Sequence, residues 1–209
     1  MSNTPITREQ WKLMAVLSVF WGTLFGALGI FFPYYSLYLK EELGLTGQQV
    51  GAAMGVFHLV GLIGQPAWGY LADRTGARKT ILVILSLGMS MGFLAFWYVE
   101  KYAGLLLVSA FFAAFYTSLI PQGMALGLGL LYRSSNSHFE WVRAFGSVGF
   151  LMTCFGFPYF LDAMAAKPSE TELGLLFPCS AAIILLTTVT VLFIPNQEVI
   201  REKADCGSW

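Results

Sequence analysis

Only a few residues of this chain could do chemistry in the apolar stretches where they occur. His58 stands in one such stretch with Gln65 seven positions on, a spacing of two helical turns that puts both on one face. An imidazole there can relay a proton or bind a solute, since it changes charge near neutral pH. It can equally be a hydrogen-bonded packing residue. Arg143 follows Glu140 by three positions at the mouth of another apolar stretch. That placement allows a local ion pair, a side chain that snorkels to the interface, or a guanidinium that touches a bound molecule. The run Gly69-Tyr70-Leu71-Ala72-Asp73-Arg74-Thr75-Gly76-Ala77-Arg78-Lys79 sets one carboxylate among three cations, between two glycines. A serine flanked by glycines, Gly146-Ser147-Val148-Gly149, invites an intramembrane hydrolase reading. That chemistry needs a histidine in a later span, whereas His58 and His138 both precede the serine. The residues therefore point away from an enzyme. Cys154 and Cys179 lie in apolar stretches and Cys206 in a polar tail, so they suggest small hydrophobes rather than a disulfide framework or a metal site. Nothing calls for a cofactor.

The elements that carry these residues follow from composition. Of 209 residues, 56% are hydrophobic and 11% charged, against about 25% charged in a soluble domain. So few charges cannot cover a water-exposed surface of this size, and the solvent for most of the chain is lipid. The formal net charge of zero offers no electrostatic footprint for nucleic acid. Charge-free stretches run over Leu13–Leu39, Leu43–Ala72, Thr80–Val99, Tyr102–Tyr132, Ala144–Leu161 and Leu173–Gln197. Crossing the hydrocarbon core takes about 20 residues, so these are six spans. The first is too long for the apolar core of a secretory signal, which is about 7–15 residues. The turn-like Thr46-Gly47-Gln48-Gln49 predicts that the second span begins near Val50. All six must be helices, because an open strand edge in lipid leaves backbone groups unpaired. No span is rich in arginine, as voltage sensing requires. Residues 1–197 read as one six-span unit and 198–209 as a polar tail.

Glycine and proline punctuate the spans. Gly22, Gly26 and Gly29 in the first, and Gly51, Gly55, Gly61 and Gly64 in the second, predict close helix packing. Pro33, Pro66, Pro121, Pro158 and Pro178 each predict a lost helical donor and a kink.

The loop after the second span resembles, at every defined position, the signature of the major facilitator superfamily, G-x-x-x-[DE]-[RK]-x-G-x-[RK]-[RK]. Gly69, Asp73, Arg74, Gly76, Arg78 and Lys79 fill it. The resemblance implies an all-α membrane protein: six transmembrane helices forming one half of a major facilitator bundle, as a 3+3 inverted repeat. It also implies that Gly69 packs against the other half and that Asp73, with its basic neighbours, locks the outward-open state. Phe139-Glu140-Trp141-Val142-Arg143-Ala144-Phe145-Gly146-Ser147-Val148-Gly149 resembles the fifth-span opening of the phenylpropionate, nucleoside and lactose permease branch. Arg133-Ser134-Ser135-Asn136, Gly29 to Lys40 and Leu119-Ile120-Pro121 are similar to stretches of the same branch. In that branch the arginine matching Arg143 contacts substrate and pairs with an acid in the fourth span. Here Tyr102–Tyr132 contains no acid, which leaves Glu140 as a candidate local partner.

The resemblance therefore implies a secondary active transporter half that takes up a small organic solute, coupled to protons, by alternating access in a bacterial inner membrane. In the family the first and fourth spans line the cavity, which makes Trp21, Phe25, Tyr116, Ser118 and Gln122 candidate wall residues. An aromatic wall with few charges suits a neutral or aromatic solute. The expected partners are the bilayer, the solute, protons, and either a missing C-terminal half or a second copy. Another reading is a half-size membrane protein that does not transport alone.

Basic residues give an orientation. With the N-terminus inside, nine of the Lys and Arg residues fall on the cytoplasmic side and only Lys40, Lys101 and Lys167 outside. Both termini and the Gly69–Lys79 loop are then cytoplasmic. In a variant stripped of native cysteines, a cysteine at Gly47 or Lys167 should label from outside, and one at Ala77 only from inside; the reverse pattern would overturn this topology.

Overall fold

The computed structural model describes residues 8–133, 139–164 and 173–195, and these form six long helices with no strand among them. They are α1 (Arg8–Glu41), α2 (Gly47–Thr75), α3 (Arg78–Trp97), α4 (Tyr102–Arg133), α5 (Phe139–Met164) and α6 (Leu176–Phe193), the last preceded by a 3₁₀ turn at Leu173–Leu175. All six are long and apolar enough to cross a membrane, so the chain is a multi-pass membrane protein. The tail 198–209, Arg133's side chain, the loop from Ser134 to His138, and Lys167 lie outside the described residues.

Most boundaries differ from the charge-free stretches by a few residues, and three of the shifts have a clear local reason. α2 begins at Gly47 rather than near Val50, because Thr46 and Gln49 form a capping box that satisfies free donors of the first turn. α5 begins at Phe139, five residues before the last charge gives way to apolar sequence, since a helix tolerates charge in its first turn outside the bilayer core. α6 ends at Phe193 instead of reaching Gln197: Ile194 turns extended (φ −69°, ψ 129°) ahead of Pro195, as the residue before proline does. Pro33, Pro66, Pro121 and Pro158 do lie inside helices. Pro178 does not interrupt one; it sits in the first turn of α6, where its missing N–H is not needed.

The helices pack in a pairwise pattern. α1 lies against α5 and α6, α4 lies against α2 and α3, and α3 meets α6. Exchanging α1 with α4, α2 with α5 and α3 with α6 returns the same pattern. Successive helices alternate in direction, so α1 and α4 run oppositely and the two triplets are inverted copies: the 3+3 repeat. In space the order is an arc, α5–α1–α6–α3–α4–α2. α3, α1 and α6 are the most enclosed helices, whereas α2 and α5 at the ends of the arc are the least.

What joins the pairs is small residues and interhelical hydrogen bonds. A Cβ on Gly149 would run into the Gly22 backbone, and one on Gly29 would lie 2.5 Å from the Phe150 carbonyl. Thr153 Oγ1 donates to the Gly26 carbonyl (2.7 Å) and Tyr34 to the Cys154 carbonyl (2.8 Å). In the other arm Gly61 and Gly64 receive Thr117 and Ala114, and the Trp68 indole donates to the Ala114 carbonyl (2.8 Å). α6 is tied by Thr188 to Ser86 (2.9 Å) and Thr187 to Thr23 (2.9 Å). α1 and α4 meet across an aromatic core, with Phe31 and Phe112 centroids 5.1 Å apart and Phe32 and Tyr116 5.4 Å apart.

Gly149→Ala should destabilise the bundle by about 1–3 kcal/mol, the usual cost of overpacking, because its neighbours are backbone atoms that cannot swing away. Gly156 has nothing within 4 Å of its Cβ position, so Gly156→Ala should leave the melting temperature in detergent unchanged or raise it. Equal effects at the two sites would show that the α1–α5 contact is looser than described.

Candidate functional site

Two groups of polar residues lie among these apolar helices, one at each arm of the arc. The first centres on Arg143. Its guanidinium sits 4.4 Å from the Phe25 ring centroid and 4.8 Å from that of Trp21. Trp21 is fully buried, with Phe20 at 5.3 Å and Phe139 at 6.3 Å completing the cage. The side chain reaches towards the middle of the span rather than out to the interface: its Nη1 lies 3.4 Å from where a Gly146 Cβ would be, one turn further along α5. Gly146 makes that direction possible, because any side chain there would meet Phe25 at 3.1 Å. Phe25 is itself near the midpoint of α1.

A cation at this depth costs about 2.5–3.5 kcal/mol on insertion scales. Each ring returns between about 0.5 and 2 kcal/mol as a cation–π contact, so the two together offset much of the charge penalty. They do not satisfy the hydrogen-bond donors. Arg143 Nε and Trp21 Nε1 are both buried without a partner. Glu140 is exposed, and no ion pair joins it or any other acid to Arg143 among the described residues.

The second group lines an open groove of about 920 Å³ between α2 and α4, edged by Phe32 of α1. His58, Gln65 and Tyr116 meet there, along with Thr117, Pro121 and Met124. His58 is exposed to the groove, and its Nδ1 contacts the Met54 carbonyl (3.3 Å). A carbonyl only accepts, so this contact is a hydrogen bond when Nδ1 carries a proton.

Of the five expected wall residues only Tyr116 lines that groove; Trp21 and Phe25 lie against Arg143, and Ser118 and Gln122 are buried elsewhere. Ser118 is fully buried with its hydroxyl unpartnered, and Gln122 is buried with its amide nitrogen 3.8 Å from the Gly69 Cβ position. Gln122 thus packs against the glycine of the loop motif. Sequence reasoning passed over Thr117, Trp68 and Phe139. The small-residue runs signal close contacts, but which helix fills each notch depends on the fold.

The Gly69–Lys79 segment forms a tight corner between α2 and α3. Gly76 takes φ +68° and its N–H bonds the Ala72 carbonyl (3.0 Å), a left-handed helix end that favours glycine. Asp73, exposed, pairs with Arg78 at 2.7 Å. Arg74 bonds the Tyr70 hydroxyl (3.1 Å). Lys79 turns away from this cluster and donates to the Leu192 carbonyl at the end of α6 (2.7 Å), where a cation meets the negative end of a helix.

Comparison with known proteins places this geometry. The model of the MFS_1 like family matches residues 14–207. Over 184 residues the chain is 30% identical to the uncharacterized transporter YwbF of Bacillus subtilis (strain 168), covering 88% of this chain and 45% of that one. It is 29% identical over 154 residues to the maltose permease of Geobacillus stearothermophilus, covering 72% of this chain and 38% of the permease. The crystal structure of the nucleoside transporter NupG superposes with a TM-score of 0.77 at 16% identity, over 88% of this chain and 44% of NupG. The chain therefore spans less than half the length of these relatives. The inverted pair of three-helix units, the loop motif and the family match along nearly all of its length establish that it belongs to the MFS_1 like family of the major facilitator superfamily.

Proposed function

We propose that this chain supplies one six-helix half of a proton-coupled transporter for a small organic solute, in a bacterial inner membrane with the Gly69–Lys79 corner cytoplasmic. The observation that carries this reading is the open arc. α2 and α5, its two ends, are the least enclosed helices, and each carries one of the polar groups, His58 on α2 and Arg143 on α5. Transporters of this superfamily place the solute between two such halves related by an axis along the membrane normal. A second half, in the remainder of a longer polypeptide or on another chain, would close the mouth between α2 and α5. It would turn the α2–α4 groove and the Arg143 cage into walls of one cavity.

The residues then take separate roles. Asp73, exposed beside Arg78, is the group that engages the second half and favours the outward-open state. Gly69 and Gln122 set how closely α2 approaches α4 at that end. His58 carries the proton and Arg143 contacts the solute. Maltose and nucleosides, named for two relatives, are reasonable first solutes.

In vesicles, a particle with the mass of one chain should show no uptake of maltose or uridine driven by a pH gradient; uptake by such a particle would sink the two-half reading. In a transporter completed by a second half, His58→Gln should flatten the pH dependence of uptake, and an unchanged profile would remove the proton role from His58. In the same assembly Asp73→Asn should lower the labelling of a cavity cysteine from outside relative to inside. An unaltered ratio would take the lock away from Asp73.

A further inference from the structure

A hollow of about 780 Å³ lies between the first halves of α1 and α5, and it shares no lining residue with the α2–α4 groove. On α5 its wall is Trp141, Phe145, Val148 and Met152, whose spacing of i, i+4, i+7 and i+11 makes one stripe along the helix. Arg143, two positions past Trp141 and so about 200° round α5, points away from that stripe. On α1 the small residues Ala15, Ser18 and Gly22 recess the opposite wall. No ionisable side chain lines the hollow. The Thr23 hydroxyl on its edge already donates to the Val19 carbonyl and accepts from Thr187. The hollow is open along its length, for Val19, Phe145, Val148 and Met152 are all exposed. From Trp141 to Met152 the helix rises about 16 Å, one leaflet's share of a hydrocarbon core about 30 Å thick. Trp11 and Trp141, 58% and 70% exposed, stand at the end nearest the charged first turn of α1, with its Arg8, Glu9 and Lys12. Indoles settle at that level of a membrane, because the ring is apolar and its N–H needs a polar partner.

We infer that this hollow is a binding site for a phospholipid of the leaflet on the side of the Gly69–Lys79 corner. One acyl chain lies between α1 and α5, and the ester and phosphate oxygens sit level with the indole N–H groups of Trp11 and Trp141. A plain helix surface touches a neighbouring lipid on one side only. A chain in this recess meets α1 and α5 together and gains dispersion contacts from both. The indoles, donating to the oxygens of the head, fix its depth. With no charge in the walls, the tail is what the hollow recognises. In the two-half arrangement the Arg143 side of α5 faces the second half, which leaves the opposite stripe to the bilayer; the choice of a lipid over a protein partner rests on that reading. The lipid goes beyond it, since it is a ligand that is held and not carried.

Native mass spectrometry of the purified full chain, released from a mild detergent, tests this without any transport. The wild type should keep a phospholipid under activation that strips the others. Ala15→Leu, whose side chain fills the recess, should lose it. Leu186→Phe, a change on the exposed face of α6, should keep it. After delipidation, dioleoyl phosphatidylglycerol should raise the melting temperature by roughly 2 °C or more, and glycerophosphoglycerol, the same head without tails, should not. Trp141→Leu keeps the apolar wall and loses the N–H, so it should need about threefold more lipid for the same shift, as expected for one hydrogen bond. The tail-free head and the Trp141 variant keep the test usable if Ala15→Leu does not fold. No phospholipid on the wild type, undiminished retention in Ala15→Leu, or equal stabilisation by the tail-free head would overturn the proposal. So would retention of detergent only, or a two-chain particle in which Trp141 is shielded and no lipid is bound. Lipid held in the hollow of a chain that never transports, alone or with a second half, would leave this site standing and remove the transporter reading; transport by an assembly that retains no lipid there would do the opposite.

Discussion

Lipid tails are as apolar as leucine, so helices in a bilayer gain little from hiding leucines against one another. They associate where backbones can approach closely and where polar groups find partners across the gap. The meeting of Gly22, Gly26 and Gly29 with Gly149, Phe150 and Thr153 satisfies both conditions at one crossing. The glycines remove the side chains, and Thr153 then reaches the Gly26 carbonyl at 2.7 Å. The α2–α4 crossing repeats the solution with Gly61, Gly64 and Thr117, while Trp68 reaches the Ala114 carbonyl. Because the two crossings correspond under exchange of the triplets, the inverted symmetry is a property of the contacts as well as of the helix order.

That constraint also sets what the functional groups can do. α5 lies so close to α1 that a side chain entering the seam must use a notch. Gly146 provides it, and the Arg143 head fills it against Phe25. On the other arm, Gly61 lets Thr117 come to α2, and the groove bearing His58 opens beside that contact. The most enclosed helices, α1, α3 and α6, are tied together at the back of the bundle through Ser86–Thr188 and Thr23–Thr187. The less enclosed α2 and α5 carry or border the polar groups. Packing that stabilises the bundle and packing that presents the groups are thus the same small-residue contacts.

The sequence made the elements legible because charge is so costly in lipid that its absence draws the spans directly. Boundaries were less so, since they depend on single local interactions: the Thr46–Gln49 box moved one start, and Pro195 moved one end. Within the loop motif, Gly76 was legible only as a position of the family signature, and its left-handed φ supplies the physical reason for a glycine there. Lys79 could not be placed, because the carbonyl it caps belongs to Leu192, more than a hundred positions away in the chain. Likewise the burial of Ser118 and Gln122 within this half could not be read from their depth along the helix. Depth follows from counting along a helix, whereas facing follows from which neighbour the helix meets.

Arg143 shows the difference between a charge held by an acid and one held by rings. An internal carboxylate neutralises an arginine completely, so an anionic ligand must first displace it, and the freed acid is left buried and unpaired. That step is strongly unfavourable, since breaking a buried pair leaves an uncompensated charge. Trp21 and Phe25 impose no such exchange. Their faces hold the guanidinium at 4.8 and 4.4 Å. The cage therefore holds the cation in place without a counter-charge, at a standing cost in unsatisfied donors.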